Sequence, residues 1–165
     1  MGFLRRKQQP DVPVKLTRQF PPKDYAAALE SWAFLDLEGA TPLLTSQFGD
    51  VVLAREDGVY LLDVVAGTLT REWDDVDAMA DALETPAGQE RYLRRSLVTA
   101  AYQKGKVPDE TQVYDFAKPP VLGGALTADN LAPTDFVVTV NLDGQIHEQV
   151  RDLPPGTTIR GFSQD

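Results

Sequence analysis

The sequence predicts an α+β fold: a mainly antiparallel sheet of about five strands packed against two to three helices. Three observations carry this. Two β-branched runs, residues 50–54 and 59–65, flank Arg55-Glu56-Asp57-Gly58, a tight-turn signal. Residues 74–83 then switch to a helical period, with Val76, Met79, Ala80 and Leu83 at i, i+3, i+4 and i+7. A further β-branched run, 136–142, follows a long irregular stretch. Runs of strands separated by runs of helices favour such a sheet over a doubly wound one.

Taken in order, residues 1–20 carry Pro10 and Pro13 among charges and read as an N-terminal tail or strap, leaving 21–165 as one domain. Asp24 is the expected N-cap of a helix over 25–34, with Trp32 and Phe34 as core anchors. Residues 50–54, 59–65 and 68–73 form a three-stranded meander turning at Asp57-Gly58 and Ala66-Gly67. The helix over 74–83 sets Asp75, Asp77 and Asp81 opposite its apolar stripe, and Pro86 ends it. A second helix over 87–102 buries Leu93, Leu97 and Ala101, with Glu90 spaced to pair with Arg94 at i, i+4 and Arg91, Arg94 and Arg95 on a basic face. Residues 136–142 read as a strand, Asp143-Gly144 as a hairpin turn and 145–151 as the returning strand. Leu153-Pro154-Pro155-Gly156 then closes the sheet, before a last strand or tail over 157–165. The expected core includes Trp32, Phe34, Val52, Tyr60, Leu62, Met79, Leu83, Leu97, Phe136, Val138 and Val140.

Composition narrows the function. Twenty-five acidic against 16 basic residues give a formal charge of −9. That field opposes nucleic-acid binding, which rests on phosphate neutralisation, and favours a basic partner. No cysteine is present, which removes disulfides, thiolate metal sites and thiol nucleophiles. The start, MGFLRRKQQP, lacks the apolar run of a secretory signal, and no stretch approaches the ~20 apolar residues a membrane span needs. A cytoplasmic protein without membrane contact is expected.

A catalytic set is missing. His147 is the lone histidine; Glu148 follows it, but Arg151 stands where a zinc-binding His-Glu-x-x-His motif needs its second histidine. None of the four serines lies in a Gly-x-Ser-x-Gly context. Asp129-Asn130 is better read as a turn bonding its own backbone than as a cation site. No enzyme activity, cofactor or metal is expected. His147 reads instead as a hairpin histidine that supplies a hydrogen bond or a partner contact.

The most informative stretch is GKVPDETQVYDFAKPPVLGGALTADNL, residues 105–131. Ordinary connections run about 2–6 residues, so one this long needs a reason. Tyr114 and Phe116 are spaced to dock on a core, Pro120 stiffens the path, Gly123 and Gly124 admit positive φ or close approach, and Asn130 suits a turn. The order glycine, acidic turn Pro108-Asp109-Glu110, Tyr114-x-Phe116, Pro120-x-Leu122-Gly123-Gly124 and Asn130-Leu131 resembles the C-terminal domain of type VI secretion DNase-immunity proteins. Phe48-Gly49-Asp50 with Asp57-Gly58 looks like that family's start, and Gly144-Gln145-Ile146-His147 with Leu153-Pro154-Pro155-Gly156 like the close of one branch. The similarity spans about residues 43–160.

The resemblance implies a protein that binds and silences a cognate toxin in the producing cell, and it brings no catalytic residues with it. An acidic domain suits this, because it can occupy a basic phosphate-binding cleft by charge complementarity. The expected partner is a basic toxin with nuclease activity. The expected surface is Asp75, Asp77, Asp81 and Glu84, with Glu56 and Asp57. The alternatives are a small-molecule or peptide-binding accessory domain and, behind it, a hydrolase using His147.

Overall fold

The computed structural model describes residues 13–154, 156 and 157. Most of the expected strap, and all of the expected last strand or tail beyond Thr157, lie outside them. The fold is α+β. Five strands, β1 (Thr17–Arg18), β2 (Thr41–Ser46), β3 (Val51–Arg55), β4 (Gly58–Asp63) and β5 (Thr68–Trp73), form one sheet in the order β1-β2-β3-β4-β5. Every pairing is antiparallel. The meander β3–β5 lies where its pattern places it, with Arg55 opposite Gly58 at the first turn.

Alternation sorts the sheet into two buried faces. Val51, Leu53, Tyr60, Leu62 and Leu69 face one side and meet helix α1 (Pro22–Leu29), the 3₁₀ turn Glu30–Leu35 and helix α5 (Phe136–Val150). Val52, Val59, Leu61 and Trp73 face the other and meet helix α2 (Val76–Glu84) through Ala78, Met79, Ala82 and Leu83. A third cluster joins Phe48 to helix α4 (Arg95–Gln103) and to a separate two-stranded ribbon, β6 (Gln112–Phe116) and β7 (Leu131–Asp135). The long connection is therefore a strand followed by a loop that contains two short 3₁₀ turns, Pro120–Leu122 and Ala128–Asn130.

The expected C-terminal hairpin is a helix. Asp135 caps α5, its carboxylate accepting from Val138 N at 3.1 Å. Phe136, Thr139, Val140, Gly144 and His147 are buried at i, i+3, i+4, i+8 and i+11, a helical period that the β-branched composition and Asp143-Gly144 mask. Val138, expected in the core, is 58% exposed, as a residue two places from Phe136 on a helix must be. Gly144 is no turn residue: it marks where α5 crosses the 3₁₀ turn, and a Cβ there would lie 2.1 Å from Ser31 Oγ and 2.8 Å from Trp32 Nε1. Leu153-Pro154 follows the helix and closes no sheet. The fourth and fifth strands of the sheet come instead from the N-terminal third, as β1 and β2.

Two other boundaries move. Helix α1 is capped at Pro21 with Pro22 in its first turn, so Asp24 lies inside the helix beside its positive end. The expected single helix over 87–102 is two, α3 (Pro86–Leu93) and α4, broken at Arg94, which adopts a left-handed conformation at φ 50°. Of the remaining expected core, Phe34, Tyr60, Leu83 and Leu97 are partly buried, and Trp32, Val52, Leu62, Met79, Phe136 and Val140 fully so.

Candidate functional site

Helix α2 presents the expected acidic surface from a rigid base. Met79 is buried against Val52, Val59 and Trp73, which fixes the opposite face toward solvent. Asp75 is the N-cap, its Oδ1 accepting from Ala78 N at 2.8 Å. Asp77, Asp81 and Glu84, at i, i+4 and i+7, form an exposed carboxylate row along the helix. Among the described residues no ion pair or hydrogen bond occupies these three side chains.

The β3–β4 turn comes to the same end of the sheet, because β5 finishes at Trp73 opposite Val59, one residue past Gly58. Arg71 ties the two segments together: its Nε donates to Asp57 O at 2.8 Å and its Nη2 pairs with Asp74 at 3.0 Å. Glu56 and Asp57 are thereby set beside Asp74 and Asp75. The Tyr60 hydroxyl donates to Asp57 Oδ2 at 2.6 Å, and that bond lowers the Asp57 pKa from the ordinary carboxylate range. Chemically the surface is a fixed row of acceptors, suited to Lys and Arg side chains.

The residues singled out in the long connection form a scaffold. Tyr114 and Phe116 are buried, their ring centroids 5.5 and 6.0 Å from that of Phe48. Tyr114 N donates to Gln47 O at 2.7 Å, fastening β6 to the end of the main sheet, and burial pushes its phenol pKa up. Asn130 grips the loop from inside: Oδ1 accepts from Lys118 N at 3.0 Å, while Nδ2 donates to Lys118 O and Ala125 O, each at 2.9 Å. Within that grip Pro120 opens a 3₁₀ turn and Gly123 takes φ 90°. Gly124 has ordinary φ, but a Cβ there would lie 1.7 Å from Lys118 O, so close approach is what requires it.

Sequence reasoning missed a charged cluster inside the protein. Arg94, turned inward by its left-handed backbone, places Nη1 2.6 Å from Asp50 Oδ2 and Nη2 3.3 Å from Asp63. It does not pair with Glu90, which accepts from Ser96 instead. Asp50 also accepts from Ser46 Oγ at 2.8 Å and Val64 N at 2.9 Å. Complete burial pushes the Asp50 pKa up, while Arg94 opposes that rise. For Arg94 burial works against the charge, and Asp50 with Asp63 more than offsets it. With Nη1 held by Asp50 and Nη2 by Asp63, the cluster pins the α3–α4 junction to the sheet. Only the family-like Phe48-Gly49-Asp50 hinted at it.

Two titratable groups lie beneath the loop. His147 is buried on α5, not exposed on a hairpin. Its Nε2 bonds Val64 O at 3.0 Å, its ring lies 5.6 Å from that of Trp32, and burial lowers its pKa. Asp143, one turn earlier, shares a small cavity with Phe116, Pro120, Val121 and His147. Burial raises its pKa well above the ordinary carboxylate range, with Asp115 and Asp50 adding like-charge repulsion. No hydrogen bond or ion pair reaches the Asp143 carboxylate among the described residues. The described residues hold no group of three or more His, Cys, Asp or Glu arranged for a metal ion, and no helix long and apolar enough to cross a membrane.

Comparison with known proteins adds the following. No curated protein matches the chain. A solved structure, that of Atu4351 from Agrobacterium tumefaciens, is similar over 79% of this chain and 66% of its own length, at 19% identity and a TM-score of 0.49. The chain thus spans just under two thirds of that protein. The family described as T6SS immunity protein Tdi1, C-terminal, matches residues 74–147, a narrower span than the expected 43–160. It takes in the α2 row and the scaffold loop but leaves out Glu56, Asp57 and the segments around Phe48 and Leu153. The resemblance read from the residues is borne out there: residues 74–147 of this chain match the C-terminal family of the T6SS immunity protein Tdi1.

Proposed function

We propose that this chain is an immunity protein of the type VI secretion system that binds a cognate toxin in the cytoplasm and neutralises it without catalysis of its own. The observation that carries the reading is the exposed row Asp77, Asp81 and Glu84 on α2, within the span that matches the immunity family. Asp75 starts the row, and Glu56 and Asp57 extend it across the turn. Such a surface complements a basic cleft, and a toxin that works on nucleic acid has one. Inhibition then needs only occupancy: carboxylates take the places of substrate phosphates while the body of the domain blocks access. The buried position of His147, bonded to a backbone carbonyl, supports a structural role for the histidine on which a hydrolase reading would depend.

The test is co-expression with the toxin encoded beside this gene. Wild type should rescue growth and be recovered with the toxin at low salt. The triple variant Asp77→Lys, Asp81→Lys, Glu84→Lys should fold normally but lose rescue. Association should slow steeply with added salt, because the screening length falls from ~10 Å at 0.1 M to ~3 Å at 1 M. A toxic neighbour with neither rescue nor recovery by the wild type would overturn the reading.

A further inference from the structure

A second surface lies on the other side of the sheet. Helix α1, the 3₁₀ turn after it and the start of β2 enclose an open groove of about 670 Å³. Its walls are apolar, from Phe20, Leu29, Ala33, Leu37, Pro42 and Leu53. Its acidic members are Glu30, Asp36 and Glu38, all exposed, and among the described residues no lysine or arginine lines it. Asp36 is a non-glycine residue at φ 54°, a costly conformation. It is held there by Arg55, which donates to its backbone carbonyl, and by its own Oδ1, which accepts from Glu38 N at 3.3 Å. The turn that carries Asp36 and Glu38 is therefore set in place before any ligand arrives.

We infer that this groove binds an amphipathic, cationic helical segment of a partner protein, its apolar stripe laid on Leu29, Ala33 and Leu37 and its lysines or arginines against Glu30, Asp36 and Glu38. Charge complementarity selects a basic occupant over an acidic or neutral one. A strand is disfavoured because Pro42 has no N–H to offer and Leu43 O already accepts from Gln19 Nε2 at 3.0 Å, so the start of β2, which β1 leaves uncovered, offers little for strand addition. That leaves recognition through side chains, as in helix-in-groove binding. The α2 row cannot belong to the same contact, because α2 packs on the Val52 and Val59 face and α1 on the Val51 and Leu53 face. The inference therefore stands apart from the immunity reading.

The probe is a fluorescein-labelled peptide of about 14 residues, with Leu at i, i+3, i+4 and i+7 and Lys elsewhere. It is titrated with the full chain by anisotropy and mapped by amide chemical shifts. Binding should perturb Ala33 and Leu37 and weaken about tenfold or more in Glu30→Lys/Glu38→Lys and in Ala33→Trp, which fills the groove. Asp77→Lys/Asp81→Lys should leave the affinity at the groove unchanged. Because Glu30 and Glu38 are exposed, their variant keeps its fold even if Ala33→Trp does not. Four results would overturn the inference: no binding, equal binding of the peptide with Glu in place of Lys, shifts confined to α2, or self-association through the groove that Ala33→Trp abolishes.

Discussion

Arg94 and Asp50 stand 44 residues apart in the chain and meet at 2.6 Å, Nη1 to Oδ2, with 2% of the Asp50 side chain exposed. Removing one partner of a buried pair leaves the other charged and desolvated, a loss of about 3–5 kcal/mol. Arg94→Leu should therefore lower the unfolding free energy by that order, read as a lower urea midpoint at unchanged slope. Arg94→Lys should recover only part of it, since a single ammonium cannot reach Asp50 and Asp63 together. Equal stability of wild type and Arg94→Leu would contradict the pairing.

Gly144 is a point of close approach between α5 and the 3₁₀ turn Glu30–Leu35. Helix propensity alone would make Gly144→Ala favourable by about 1 kcal/mol. The new Cβ, however, meets Ser31 Oγ at 2.1 Å and Ser31 Cβ at 2.9 Å. Neither neighbour is free to give way: Ser31 Oγ donates to Asn141 O at 2.7 Å and Trp32 Nε1 to Val140 O at 2.8 Å. Overpacking of about 1–3 kcal/mol should outweigh the propensity gain. Thermal denaturation should show a lower Tm for Gly144→Ala and a still lower one for Gly144→Val.

The two glycines of the scaffold loop should differ in kind. Gly123→Ala places a Cβ at φ 90° with little around it, a local strain of about 1–2 kcal/mol. Gly124→Ala drives a Cβ into Lys118 O and must reopen the turn that Asn130 holds. Amide exchange of Lys118, whose N–H donates to Asn130 Oδ1, and of residue 124, whose N–H donates to Pro119 O, should stay slow in the first variant and become fast in the second. The reverse ranking would count against the close approach.

Two groups on α5 should contribute to the pH dependence in opposite senses. His147, with its pKa lowered by burial from the ordinary 6.5, stays neutral in the folded chain. As pH falls below 6.5 the unfolded chain takes up a proton that the folded one refuses, so stability is present above that pH and is lost on the acid side. Asp143 has its pKa raised from 3.8, so the folded chain retains a proton that the unfolded one releases above 3.8. Its contribution falls as pH rises from there. Asp143→Asn should consequently be more stable than wild type at pH 7 and equal to it near pH 4 in urea titrations. The His147 ring should titrate below 6.5 by NMR.

The amino-acid sequence by itself determined the meander and the acidic helix after it. Both are local: a two-residue pleat alternation with Asp57-Gly58 between, and an apolar stripe at helical spacing over Val76 to Leu83. The exposed carboxylates of α2 follow from that period without further information, and the motif residues carried the family resemblance. Tertiary structure decided the rest. Residues 136–150 have the composition of a strand and the Asp143-Gly144 of a turn, yet the groove between Trp32, Val64 and Phe48 accepts a helix, and burial of Phe136, Val140 and Ile146 outweighs intrinsic preference. The break at Arg94 carries neither glycine nor proline; it exists because two carboxylates, 44 and 31 residues earlier, claim the guanidinium. A contact at such separation leaves no periodic trace in the chain, so it becomes visible only when the fold brings its partners together.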